Sequence, residues 1–518
     1  MAANPDPKTA FTAFTRFGYG ARPGDLEKAA GDPRGFLKAE MNRPDAALIS
    51  LDRPENSELM GSTPCIQATF AAEAQRKIER ERKAGDAKRM AAAPGAAMGG
   101  EMMGGTPPPP GMQASNMNDA AKPAAKPGQP TAALPAGQAA KPAQIEMPVE
   151  QKIFRAEMRA AVQQIADADS GFVERLVRFW SNHFCVSVAK GFIERSVAGS
   201  FEREAVRPFV LGRFADMLAA VERHPAMLFY LDNQQSIGPN SRAGQNRKRG
   251  LNENLAREIL ELHTLGVGGG YTQSDVTSLA RVITGWTFVG REGRLGEPGT
   301  FVFNANAHEP GDHIVLAKTY AQGGMGQGEA ALNDLARHPS TAKHIAFKLA
   351  RHFVADDPPP ALVERLTKIF KDRDGDLRAM AAALVDAPEA WVSPLTKMRS
   401  PFDFVMAARR AVTRQPMTEP GPTFGALNLM GQPMWQPPGP NGFPDIAAAW
   451  ASAEGMKVRL DIAAQIARQT KEVENPSELL DSVIGEACSP ETKEAVARAE
   501  SREQGLALLL MSPEFQRR

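Results

Sequence analysis

Apolar residues recur at spacings of three and four along most of this chain, and strict alternation is rare. In 171–184, GFVERLVRFWSNHF, the residues Phe172, Leu176, Phe179 and His183 fall on one helical face. In 250–286, GLNENLAREILELHTLGVGGGYTQSDVTSLARVITGW, a stripe of Leu251, Leu255, Ile259 and Leu262 faces the core. Glu253, Arg257 and Glu261 lie opposite, with Asn254 and Glu258 between them and the apolar edge. His263 closes that helix, Gly266 and Gly268–Gly270 end it, and Thr272 with Asp275 reads as a capping box for the next one. Gly285 stops the second helix, and Trp286 packs at the junction. A further amphipathic run over 201–223 ends at His224-Pro225. The run 340–354 opens on a serine suited to N-capping and stops before Asp-Asp-Pro-Pro-Pro. Residues 361–371, 376–386, 400–413 and 457–470 add four more helices, and the region around 300–320 offers at most a short β-hairpin. The pattern predicts a mainly α fold without a fixed-period repeat.

One stretch breaks the pattern. Residues 84–148 contain no aromatic residue and no valine, and are dominated by Ala, Pro, Gly and Met. Such a segment cannot bury enough apolar surface to offset chain entropy, so it reads as a disordered insertion. Helical patterns flank it on both sides. The predicted organisation is therefore one large helical domain, made of 1–83 and 149–518, interrupted by the insertion.

Charge and cysteine usage narrow the function classes. Sixty-one basic residues stand against sixty acidic ones, which leaves no global footprint for nucleic acid. The three cysteines, Cys65, Cys185 and Cys488, form no CxxC pair and read as buried, inert thiols. The N-terminal stretch has no basic leader followed by an apolar segment, and no run reaches membrane-spanning length. On sequence alone the expected compartment is the cytoplasm. No nucleophile elbow, Walker loop or dinucleotide fingerprint appears, so no cofactor is named.

The polar half of the 251–263 helix supports two readings. Glu253–Arg257 and Arg257–Glu261 are surface pairs worth a few tenths of a kcal/mol each, which suits a solvated face. If the face is buried instead, Glu258 or His263 serves as general base beside Glu261, while Arg257 binds an anionic group or holds a carboxylate. Asn254 shares that face. Trp180, Asn182 and His183 join the site if the end of the 172–183 helix meets it. Trp286, and Trp435 in the Pro/Gly-rich stretch GQPMWQPPGPNGFPD (431–445), are candidates for binding. The loop HEPGDH offers His308, Glu309, Asp312 and His313 to a divalent metal, although the spacing matches no strong signature. KDRDGDLRAM (371–380) reads as a turn and N-cap, since its glycine and its twelfth position do not fit a calcium loop.

Several of these stretches together resemble one family. FTRFGYGARPGD, VRFWSNHF, the NENLARE…LHTLGV…TGW block, LARHFVADDPPP, GQPMWQPPGPNGFPD and LALLLMSPEFQ are similar to the bacterial domain of unknown function 1800 family, over nearly the whole chain outside 84–148. In that family the HEPGDH loop more usually carries His-Asp followed by lysine, which leaves His308 as the metal candidate and His313 as a departure. The resemblance implies a helical architecture and no particular reaction. It also implies a companion from a second family, alkaline-phosphatase-like in fold and typically exported, and hence a periplasmic or envelope setting. The expected function is a helical partner or scaffold protein working with that companion. The alternative is a hydrolase with a Glu/His/Arg/Asn site between helices, possibly metal-assisted.

Overall fold

The computed structural model describes residues 7–92, 146–246, 250–392 and 394–518. Two compact units result: Met1–Ala72 together with Pro148–Arg518, and Glu73–Met147. Of the expected insertion, 84–92 continue the helix Ser62–Ala92, whose Ala, Lys, Arg and Met residues are strong helix formers. Residues 93–145 lie outside the described residues.

The large unit is helical, and its core is aromatic near the centre. Phe17 meets Phe172 edge-on at 5.5 Å and Trp391 at 5.0 Å, and Phe172 meets Phe353 at 5.6 Å. Fully burying each such ring stabilises the fold by roughly 1.5–3 kcal/mol. Helix Phe172–His183 runs through this core with the predicted stripe buried. Its N-terminus is held by Glu40, whose carboxylate accepts from the N–H groups of Ser170, Gly171 and Val173. Helix Val149–Asp167 packs against Phe192–Phe201, Pro339–Phe353 against Pro360–Asp372, and Ala453–Gln469 against Arg502–Met511.

Three helices widen into π-turns among the described residues, at Ala13–Phe17, Glu202–Val206 and Ile259–His263. Each delivers a buried polar side chain: Arg16, Glu202 and His263. Such bulges rotate the following residues against the 3.6-residue stripe. That is why Leu260 is buried while Leu262, a predicted stripe member, is only half-buried.

Elsewhere the boundaries shift for local reasons. The single run expected over 201–223 is divided into the π-turn, a short 3₁₀ turn at Arg207–Phe209 and helix Phe214–Arg223, because Pro208 cannot continue the hydrogen-bond ladder. Helix Pro339–Phe353 is capped by His338, whose Nδ1 accepts from the Ser340 N–H at 3.2 Å, so Ser340 lies inside the helix. The Thr272–Asp275 capping box forms as predicted, and Asp376 caps the helix Leu377–Asp386. Among the described residues the strands form two antiparallel pairs: Trp286–Phe288 with Phe301–Phe303, and His313–Val315 with Lys318–Tyr320.

Candidate functional site

Helix Pro339–Phe353 carries His344, Lys348 and His352 at i, i+4 and i+8, so they stack along one face. Lys348 Nζ donates to His183 Nδ1 at 2.8 Å, and His183 Nε2 then donates to the His263 carbonyl at 3.1 Å. His263 Nδ1 pairs with Glu222 Oε1 at 2.7 Å, and both side chains are buried. His344 Nε2 bonds the Leu262 carbonyl at 3.2 Å. Gly266, at φ +85°, keeps the chain clear of His344, because a Cβ there would sit 2.7 Å from its Nδ1. The π-turn thus presents two consecutive carbonyls, Leu262 and His263, to two histidines of neighbouring helices.

Burial sets the protonation of this network. It pushes Lys348 down to about 8 and His344 to about 4, and it holds His183 well below its ordinary range, with the Lys348 charge adding to both histidine shifts. Lys348 makes no ion pair with a carboxylate among the described residues. Glu258, half-buried and raised by desolvation, has no hydrogen-bond partner among the described residues. Glu222 Oε2 is likewise buried without one.

A second feature lies beside this network. The loop that follows Leu429 is zipped to the segment after His183: Trp435 O accepts from the Val188 N–H at 2.9 Å, Pro437 O from the Ser187 hydroxyl at 3.2 Å, and Pro440 O from the Cys185 thiol at 3.2 Å. Asn182 clamps Phe443 at both its N–H (2.8 Å) and its carbonyl (3.0 Å). Trp435 has φ +48°, a strained value for so bulky a residue, and its indole N–H donates to the buried Glu202 at 3.1 Å. The result is a groove of about 690 Å³ walled by Lys190, Tyr230, Pro437, Phe443, Pro444 and Trp450. Behind Tyr230 lies Glu194, fully buried with neither carboxylate oxygen bonded and driven strongly toward the neutral acid by burial. Tyr230 is itself pushed up by burial, then by Cys185, Glu194 and Glu258.

Residues 12–517 match a family described as proteins of unknown function, DUF1800. The chain belongs to the DUF1800 family. No curated protein and no solved structure matches it. The match spans nearly the whole chain and assigns no chemistry to it.

In this DUF1800 chain the expected site residues disperse. His183 and His263 come together, linked through the His263 carbonyl, with ring centroids 6.2 Å apart. Glu258 lies beside them, whereas Arg257 turns to the surface and bonds Glu253 at 3.3 Å and Gln273 at 2.9 Å. The Arg257–Glu261 pair does not form; Glu261 accepts from the Tyr271 hydroxyl at 3.0 Å instead. Asn254 is exposed, and its N–H donates to Asn252. Trp180 and Trp286 are core residues. Trp435 is buried and does not line the groove, whose indole is supplied by Trp450. His308 is buried, its Nδ1 bonded to the Thr284 carbonyl at 3.0 Å. Among the described residues no three His, Cys, Asp or Glu side chains are grouped to hold a metal.

Lys348, Glu222, Tyr230 and Glu194 were not anticipated. A signal for the first was present: a lysine flanked by histidines at i−4 and i+4, in a chain with only eight histidines. The other three depend on tertiary packing and leave no local pattern.

Proposed function

We propose that this protein is a helical binding scaffold, and that its working surface is the groove between Tyr230 and the 431–450 loop. One observation carries the reading. The polar side chains that sequence singled out for catalysis are, apart from Glu258, committed to holding helices and loops together, whereas the groove leaves a phenol, a half-buried indole and four further walls open. Aromatic side chains with a rigid proline frame supply contact area at low entropic cost, as binding surfaces do. Ile446 and Leu429, both exposed, flank the loop and extend its apolar character. The partner suggested by the family resemblance is the alkaline-phosphatase-like companion. No helix among the described residues is long and apolar enough to cross a membrane, so none of those helices supplies an anchor for the pair.

Co-expression with the companion tests this reading. The complex is expected to survive Glu258→Gln and to weaken at least tenfold in Tyr230→Ala/Trp450→Ala. A complex indifferent to the groove substitutions, or no complex at all, contradicts it.

A second reading rests on Lys348. An amine lowered to about 8 and bonded to a neutral histidine of fixed tautomer has the make-up of a proton-transfer site. Access counts against it, because His183 and His263 are both sealed from solvent.

A further inference from the structure

Three helices wall a cavity separate from the groove. Helix Pro401–Val412 contributes Val405, Arg409 and Val412, helix Gly421–Leu429 contributes Ala426, and helix Ala453–Gln469 contributes Ile462 and Ile466. Spacings of three and four within each helix place these residues on one face, turned to the same space. Val405, Val412, Ala426 and Ile462 are buried and Ile466 is half-buried, which gives the cavity a largely apolar wall. Its volume is about 250 Å³, at the small end of ligand pockets, which run from roughly 300 to 1,000 Å³.

Arg409 is the exception in that wall. It sits half-buried between Val405 and Val412 on the apolar face. Its Nη2 donates to the Gln415 carbonyl at 2.6 Å, its Nε is buried without a partner, and its Nη1 makes no hydrogen bond. No carboxylate among the described residues forms an ion pair with it. Burial lowers its pKa below the ordinary arginine range, and Asp167, the carboxylate acting against that shift, is engaged by Arg53 at 3.2 Å. The next residue, Arg410, shows how this fold fastens a guanidinium that it uses for itself. Arg410 donates to the carbonyls of Gly20, Ile165, Ala168 and Asp169 at 3.0, 2.9, 2.7 and 2.8 Å and lies 3.5 Å from Asp25. Arg409 has one carbonyl and no counter-charge.

A partly desolvated cation in an apolar wall is matched by one negative charge attached to an apolar body. The open Nη1 and the second N–H of Nη2 form the end-on edge of the guanidinium, which fits the two oxygens of a carboxylate. A dianion would meet a single cation and otherwise apolar surface, so the fitting charge is minus one. The one acid in the lining, Glu472, is exposed and accepts from the Lys471 N–H at 3.2 Å. Water screens it: like charges even 4 Å apart repel by only about 1 kcal/mol in bulk solvent.

We infer that this cavity binds a small amphiphilic carboxylate, a monoanion whose head pairs with Arg409 and whose aliphatic chain lies along Val405, Val412, Ala426, Ile462 and Ile466. The site is independent of the groove reading, since the two spaces have no lining residue in common.

Calorimetric titration of the full chain with octanoate, 1-octanol and acetate at fixed pH and ionic strength tests it. Saturable 1:1 binding of octanoate is expected, with octanol at least tenfold weaker and acetate giving no saturation. Octanol lacks the charge and acetate lacks the chain, so the wild type alone reads both halves of the site. Arg409→Gln is expected to weaken octanoate at least tenfold and to leave octanol unchanged. If that variant fails to fold, Arg409→Lys, which keeps the charge and loses the planar fork, is expected to weaken octanoate severalfold. Octanol or acetate binding as tightly as octanoate, octanoate affinity unmoved in the folded Arg409 variant, or no saturable heat with octanoate overturns the inference.

Discussion

Lys348 is the residue whose protonation separates the folded from the unfolded chain most usefully. Its folded value, about 8, lies below the ordinary 10.5, so between those two values the unfolded chain binds more protons than the folded one. Stability therefore rises with pH across that window, by on the order of 2–3 kcal/mol from this group. Denaturant titrations at pH 7.5 and pH 10 should show the rise in the wild type and its loss in Lys348→Met. Glu202 makes a contrasting case. It accepts from Arg207, Arg178, Ser181 and the Trp435 indole, and those partners outweigh burial and hold it below the usual carboxylate range. Glu202→Gln leaves buried Arg207 with Glu174 alone and Arg178 with no carboxylate, one more positive charge than the two arginines' remaining partner can balance. The expected loss is about 3–5 kcal/mol, measured as a lowered denaturation midpoint, because an uncompensated buried charge remains.

At the scale of elements, helix Pro339–Phe353 concentrates the acid sensitivity of the fold. Burial lowers both His344 and His352 to about 4, from an ordinary 6.5. Between those values the unfolded chain takes up protons that the folded one refuses, so stability falls as pH drops from 6.5 to 4, by on the order of 2 kcal/mol per histidine. A His344→Gln/His352→Gln pair should flatten that slope in urea titrations. The 431–445 loop is the other decisive element, and Asn182 is its clasp. Asn182→Ala removes both bonds to Phe443 and should speed proteolytic cleavage within 437–446, while far-ultraviolet circular dichroism stays unchanged. Sequence pattern made the helices legible wherever an apolar stripe meets a capping residue, as at Thr272–Asp275. It failed where a backbone bulge breaks the period. The π-turn at Ile259–His263 moves Leu260 inward and turns His263 from a helix-end residue into a buried partner of Glu222. Periodicity cannot announce such a change, because the register alters inside the helix.

Over the whole molecule, the helical class and the dispersal of three inert cysteines were readable from composition and spacing; all three thiols are free and buried, and burial raises each above its ordinary value. The site was less legible. Its walls come from 187–190, 230 and 431–450, segments that only tertiary packing joins, and most of the polar residues of the NENLARE helix bond to neighbours within the fold. In the proposed function the groove, and not that helix, is the working surface. Hydrogen–deuterium exchange on the protein with and without its companion tests this most directly. Protection gained at 185–190, 229–232 and 431–450, with 253–263 unchanged, is the predicted result. Protection centred on 253–263, or none in the 431–450 loop, would contradict it.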